Sequence, residues 1–275
     1  MIKDIIVNLS LGERDPAGDF AISVAEAFDA HVLGVAFAYE PVFPATMMGG
    51  LPSDLIEAQR RESERTAKVA TDRFELAAKR AGVSAETIIL TNGIADGTGA
   101  LAQLARRFDL TVLGQPTREE DGSDEVINEG VLFDSGRPAI FVPYIQKTGL
   151  TLNRIMVCWD GSRAAARAVA DAMPLLHKAK KVEIVVVSDK GFKADEAPGA
   201  DLAKHLARHG LQVELKRITS PDIDVASTIL SYAADSSADM IVMGGYGHSR
   251  LRQFILGGMT RSMLESMTVL VLMSH

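Results

Sequence analysis

Two tandem α/β units, each built on a doubly wound parallel sheet, are the fold class that this 275-residue sequence predicts. Three observations lead there. Lys3-Asp4-Ile5-Ile6-Val7-Asn8-Leu9 corresponds to Asn153-Arg154-Ile155-Met156-Val157-Cys158-Trp159 at an offset of 150, and residues 108–114 correspond to 238–244 at an offset of 130. These segments are short apolar runs of the kind that suit a sheet buried on both faces. Helix-period apolar stripes follow them after a turn, the alternation that builds parallel sheets.

In the first half, the strand around Ile5 to Leu9 opens the repeat. The change of offset, 150 − 130 = 20 residues, predicts an insertion in the front part of this copy. It falls in the Pro-, Gly- and Met-rich loop at 40–53 and the long helical stretch at 55–80. A lid or an interface arm is one reading of it, and a surface loop covering the sheet edge is the other. The last strands, at 138–143 and 268–273, keep the offset of 130. Residues 144–152 read as a linker, so the units span 1–146 and 152–275.

In the second half, an apolar strand runs through Ile155, Met156 and Val157 and ends in Asp160-Gly161-Ser162, with a helix expected from about Ala164 to His177. A later strand at 238–243 precedes a helix with Leu251, Phe254, Ile255, Met259, Met263 and Leu264 on one stripe. Arg250, Arg252 and Arg261 lie off it, either as a basic cluster for phosphate or as a solvated helix face.

The stretch Met243-Gly244-Gly245-Tyr246-Gly247-His248-Ser249, followed by Gly257-Gly258, carries the functional signal. Gly244 and Gly247 allow positive φ and close backbone approach. Backbone N–H groups at the helix start, with the Ser249 hydroxyl, would then face a phosphate. A plain tight turn is the competing reading. The spacing G-x2-G-x9-G is neither the Walker A loop, whose lysine is missing, nor the dinucleotide fingerprint. In a doubly wound sheet the first and fourth strands flank the point where strand order reverses, and ligands bind outside their carboxyl ends. Asp160 and Gly244 would line one such crevice, with a carboxylate for a base or ribose and a glycine loop for phosphates. Asp160 reads equally as a helix N-cap or Asx-turn residue.

With Val157-Cys158-Trp159-Asp160-Gly161-Ser162 and the M-G-x2-G-x-S-x8-G segment from Met243 to Gly258, the second half resembles the universal stress protein (UspA-like) family. The resemblance implies a Rossmann-like, adenine nucleotide alpha hydrolase-like domain, a five-stranded parallel sheet with helices on both faces, here in tandem. It implies binding of ATP or AMP, with Mg2+ accompanying ATP. By position, Asp160 would contact the adenine or ribose side and Val187 would border the base. Met243, Gly244, Gly247, Ser249 and Gly257 would border ribose and phosphates, with Gly258 and Met259 completing the set. Gly258 stands where the family has Ser or Thr, which removes one hydroxyl donor to phosphate. Family members pair through their last strands, so the strands near Ala139 and Val269 are the expected contact of an internal pseudo-dimer, and a further homodimer stays open.

The first copy differs in chemistry. Ser10 stands for Asp160, and Thr117 after Pro116 stands for Gly247. Proline removes a backbone donor, and Arg118-Glu119-Glu120-Asp121 sets three carboxylates beside the equivalent anion site. This half is expected to keep the scaffold and to have lost the ligand.

Composition narrows the function classes. Apolar residues make up 47% and charged residues 24%, as in a folded globular chain. A net charge of −7 argues against nucleic acid and anionic membrane as partners. No signal-peptide pattern or long apolar run is present, which makes the cytoplasm the expected address. The single cysteine, Cys158, excludes an internal disulfide and reads as a buried inert thiol. His248 could contact phosphate or act in slow hydrolysis, or be a solvent-facing loop residue. His205 and His209, at i and i+4, supply at most half a zinc shell. No nucleophilic triad or G-x-S-x-G elbow stands out, so an enzyme is not expected, although slow ATP hydrolysis stays open. Three functions remain: a nucleotide-binding stress or signalling module, a weak nucleotide hydrolase, or a ligand-free interaction scaffold whose protein partner the residues do not name.

Overall fold

A computed structural model describes residues 1–39, 53–92, 94–116, 123–188, 191–192, 197–220, 224–245 and 258–275, with backbone only at 92, 94–96 and 123. The first half runs β1 (Asp4–Asn8), α1 (Pro16–Phe28), β2 (His31–Tyr39), α2 (Ser53–Ala81), β3 (Ala85–Asn92), α3 (Ile94–Ala105), β4 (Leu110–Gly114), α4 (Ser123–Asp134) and β5 (Ala139–Val142). The second half repeats the series as β6 (Arg154–Cys158), α5 (Arg163–Leu176), β7 (Lys181–Ser188), α6 (Ala200–Arg208), β8 (Val213–Thr219), α7 (Val225–Asp235), β9 (Met240–Gly244), α8 (Gly258–Ser266) and β10 (Leu270–Ser274).

Within each half the five strands are parallel, ordered β3-β2-β1-β4-β5 and β8-β7-β6-β9-β10. Strand order therefore reverses between β1 and β4, and again between β6 and β9. The two sheets join through β5 and β10, which pair antiparallel with Val271 opposite Phe141 and Met273 opposite Ala139. The result is one ten-stranded sheet.

The period of two along each strand explains why these runs are apolar throughout. Ile5 and Val7 enter one core layer and Ile6 the other, and Ile155 and Val157 are divided from Met156 in the same way. Phe20 and Phe74 on α1 and α2, with Leu175 and Leu206 on α5 and α6, close the first layer. Leu101, Ile127, Ile229 and Met263, from α3, α4, α7 and α8, close the second. Both layers continue across the β5–β10 joint, whose Ile140, Phe141, Val271 and Leu272 are fully buried.

The insertion lies between β2 and β3. Helix α2 has 29 residues against 9 in its counterpart α6, and 29 − 9 = 20 equals the net change of offset, smaller differences in strands and connections cancelling. Burial on α2 begins at Ala67 and continues through Ala70, Phe74 and Ala78. Phe74 lies over β2 at Gly34, where an added Cβ would sit 2.9 Å from its ring. The preceding turns of α2 are largely exposed and carry the pairs Glu57–Arg61, Arg60–Glu64 and Glu62–Arg65. Solvent screens these exposed pairs, so they support the helix only weakly. The loop at 40–52, read as a lid or edge cover, lies outside the described residues. No described helix is long and apolar enough to cross a membrane.

Candidate functional site

Outside the carboxyl ends of β6 and β9 lies a crevice of about 290 Å3. It brings together six residues singled out in the sequence: Asp160, Val187, Met243, Gly244, Gly258 and Met259. The other four, Gly247, His248, Ser249 and Gly257, lie outside the described residues, as do Arg250 and Arg252.

Local chemistry fixes the Asp160 corner. Its Oδ1 accepts the N–H of Ser162 at 2.9 Å across Gly161, whose φ of +76° is the left-handed conformation that glycine allows. Ser162 then caps α5 by accepting the N–H of Ala165 at 3.1 Å. Of the two turn readings the Asx turn is realised, and the cap belongs to Ser162. Asp160 itself is exposed, with its carboxylate at the crevice edge.

Gly244 is required sterically. A Cβ there would lie 2.6 Å from Ala165 N and 2.7 Å from Ala164 C, so the end of β9 touches the start of α5. Across the crevice, Gly258 and Met259 open α8. Sequence reasoning did not select the remaining walls. Val185 lies two residues before Val187 on β7, and Val225 and Ile229 share one side of α7 at i and i+4. Strand alternation around Val187 and the apolar stripe of α7 were the available signals.

Cys158 and Trp159 complete the lining. Burial, with a smaller contribution from the Asp160 charge, pushes the Cys158 thiol up to about 12. A thiol raised in this way favours the protonated form near neutral pH. Arg261 is exposed and engaged by Glu265 at 2.9 Å and Glu125 at 3.4 Å, so it belongs to a solvated helix face. The His205 and His209 rings meet edge-on with centroids 4.7 Å apart, and no group of three or more metal-ligating side chains occurs among the described residues.

The equivalent place in the first half holds a larger crevice, about 470 Å3. This half, expected to keep the scaffold and to have lost the ligand, has a ligand-sized space. Thr117 and residues 118–121 lie outside the described residues. The β1–α1 connection beside this space is longer than its counterpart in the second half. Helix α1 starts at Pro16, 16 − 8 = 8 positions after Asn8, whereas α5 starts at Arg163, 163 − 158 = 5 after Cys158. A Cβ at Gly114, the counterpart of Gly244, would meet no atom within 4 Å. Arg73 of α2 holds the longer connection, donating to the Ser10 and Gly12 carbonyls and lying 3.7 Å from Asp15. Asp15 caps α1 through Gly18 N–H at 3.0 Å, and burial raises its carboxyl to about 6 against the backbone bonds and Arg73, which lower it.

The two halves touch beyond the sheet. Gln115 lines the first crevice, and its Nε2 donates to the carbonyls of Leu264 at 2.9 Å and Glu265 at 3.3 Å, near the end of α8. Its Oε1 accepts the N–H of Tyr144 at 3.2 Å.

Comparison with known proteins agrees with this architecture. The sequence model described as the universal stress protein family matches residues 151–275. A curated universal stress protein of Synechocystis sp. is 21% identical over 225 residues, covering 80% of this chain and 75% of the relative. The crystal structure of a universal stress protein from Archaeoglobus fulgidus has a TM-score of 0.73 at 18% identity, covering 98% of this chain and 97% of that one. A functionally unknown protein from Pseudomonas aeruginosa has a TM-score of 0.57 at 15% identity, covering 99% and 92%. At these identities the structural likeness establishes the fold, and it does so over both halves. Residues 151–275 match the universal stress protein family, within a chain that shares its fold with a universal stress protein along its whole length.

Proposed function

We propose that the second crevice binds an adenine nucleotide, ATP or AMP, and that the chain acts as a nucleotide-responsive signalling or protective module in the stress response. The observation that carries this reading is the convergence of Asp160, the Val185–Val187 wall and the start of α8 on one crevice at a switch point of strand order. The apolar walls suit a base, Asp160 suits an amino or hydroxyl donor, and the helix start suits a phosphate. Mg2+ would enter with ATP through the nucleotide's own phosphates, with Asp160 the carboxylate on the described wall. Binding without turnover fits a crevice whose thiol is held protonated. The net charge of −7 favours a small ligand over nucleic acid, with the cytoplasm as the proposed address.

A ligand-free scaffold is the second reading, and Gly258 favours it because a hydroxyl donor to phosphate is missing there. Isothermal titration of ATP and AMP into nucleotide-stripped protein separates the two. Saturable binding near one site per chain is expected, with a change in the fluorescence of Trp159, the single tryptophan, which lines this crevice. Asp160→Ala should weaken binding roughly 10- to 100-fold, the loss of one hydrogen bond to a charged group. Absence of saturation at millimolar nucleotide would leave the scaffold reading.

A further inference from the structure

We propose that the first crevice is a second ligand site, for a molecule of nucleoside size that has a flat ring and carries no phosphate. The two crevices share no lining residue, so this site stands or falls independently of nucleotide binding in the second half. Its volume of about 470 Å3 lies within the range of small-molecule sites, and it sits where doubly wound sheets take ligands.

The walls select the chemistry. Phe37 and Tyr39 stack with centroids 5.6 Å apart and planes 11° from parallel. They line the end of β2, where the second crevice has aliphatic Val185 and Val187 on β7. A flat π surface favours a planar ring. The charged lining residues are Arg14, Asp15 and Asp124, one cation against two carboxylates, so a phosphate meets a net negative border. Asp124 lies in the first turn of α4, where its carboxylate competes with a phosphate for the positive end of the helix. Pro116, two residues after the end of β4, has no backbone N–H to offer. Asn8 lines the same space, and its Oδ1, closed to solvent, has no hydrogen-bond partner among the described residues.

Adenosine and AMP test this, because they share base and ribose and differ by the phosphate. Titrations would use the wild type, Gly114→Leu and Gly258→Leu. Gly114 lines the first crevice and Gly258 the second, and an added Cβ meets no atom within 4 Å at either, so each site accepts the start of a side chain that would take up crevice space. Adenosine should saturate Gly258→Leu with Trp159 fluorescence unchanged, and should bind Gly114→Leu at least about tenfold more weakly. AMP should bind Gly258→Leu at least about tenfold more weakly than adenosine does, a penalty of roughly 1.4 kcal/mol. Tyr39→Ala, which removes part of the stacking wall, should weaken adenosine binding and serves if Gly114→Leu fails to fold. The proposal is overturned if adenosine does not saturate Gly258→Leu at millimolar concentration, if binding survives both first-crevice variants, or if AMP binds Gly258→Leu as tightly as adenosine.

Discussion

Replacing Asp15 by Asn should stabilise the protein at neutral pH. Asp15 is 6% exposed and caps α1, a task that Asn performs equally well. Burial raises its carboxyl from the ordinary value of 3.8 to about 6. Between those values the folded protein holds a proton that the unfolded chain has released, so stability falls as pH rises from about 4 to about 6 and stays reduced above. The difference, 6 − 3.8 = 2.2, at 1.36 kcal/mol per pH unit, sets an upper bound of about 3 kcal/mol. Asn has no charge to desolvate, so the variant should gain up to that amount over wild type between about pH 4 and about pH 8. Urea unfolding of both proteins across this range measures the difference directly, and groups that titrate in both cancel. A flat difference, or a variant less stable at the alkaline end, would refute the reasoning. It would mean that attraction from Arg73, 3.7 Å away, outweighs the cost of burial.

Gly244→Ala should lower stability by about 1–3 kcal/mol, because its methyl meets the Ala164–Ala165 backbone, while Gly114→Ala should be near neutral. Calorimetric melting of the pair checks this, and equal losses would refute it. Gln115→Leu leaves the buried carbonyl acceptors of α8 without this donor, at about 1–3 kcal/mol, and should raise hydrogen exchange in α8 more than in α7. Phe141→Ala, fully buried at the β5–β10 joint, should cost about 3–5 kcal/mol by denaturant titration. Cys158, with its thiol pushed up to about 12, should resist iodoacetamide at about pH 8 until denaturant is added, and rapid labelling of the folded protein would contradict its burial.

The repeat was legible because buried parallel strands leave dense apolar runs, and the 20-residue change of offset located the elongation of α2 between β2 and β3. The Asp160 and Gly244 ends of the crevice were legible for a related reason: a turn carboxylate and a sterically required glycine leave residue-type marks. Val225 and Ile229 left none, because an apolar pair on a helix looks the same whether it lines a crevice or a core. The volume of the first crevice was not legible from its chemistry. Pro116 and the acidic run signal a changed loop, but the β1–α1 connection beside the space carries three extra positions and is held by Arg73, a contact 63 residues from Ser10 in sequence. Gln115 reaching α8 spans 149 residues and no local pattern announces it.

The antiparallel joint of β5 and β10 turns assembly of the pair into a unimolecular event. A short connection between β5 and β6 keeps the partner strands at an effective concentration in the millimolar range or above, so dilution does not separate them. In a free dimer, subunit exchange would mix halves and populate pairs of like sites. That exchange is closed to a fused pair held through this joint, and each molecule carries one crevice of each kind in a fixed one-to-one ratio.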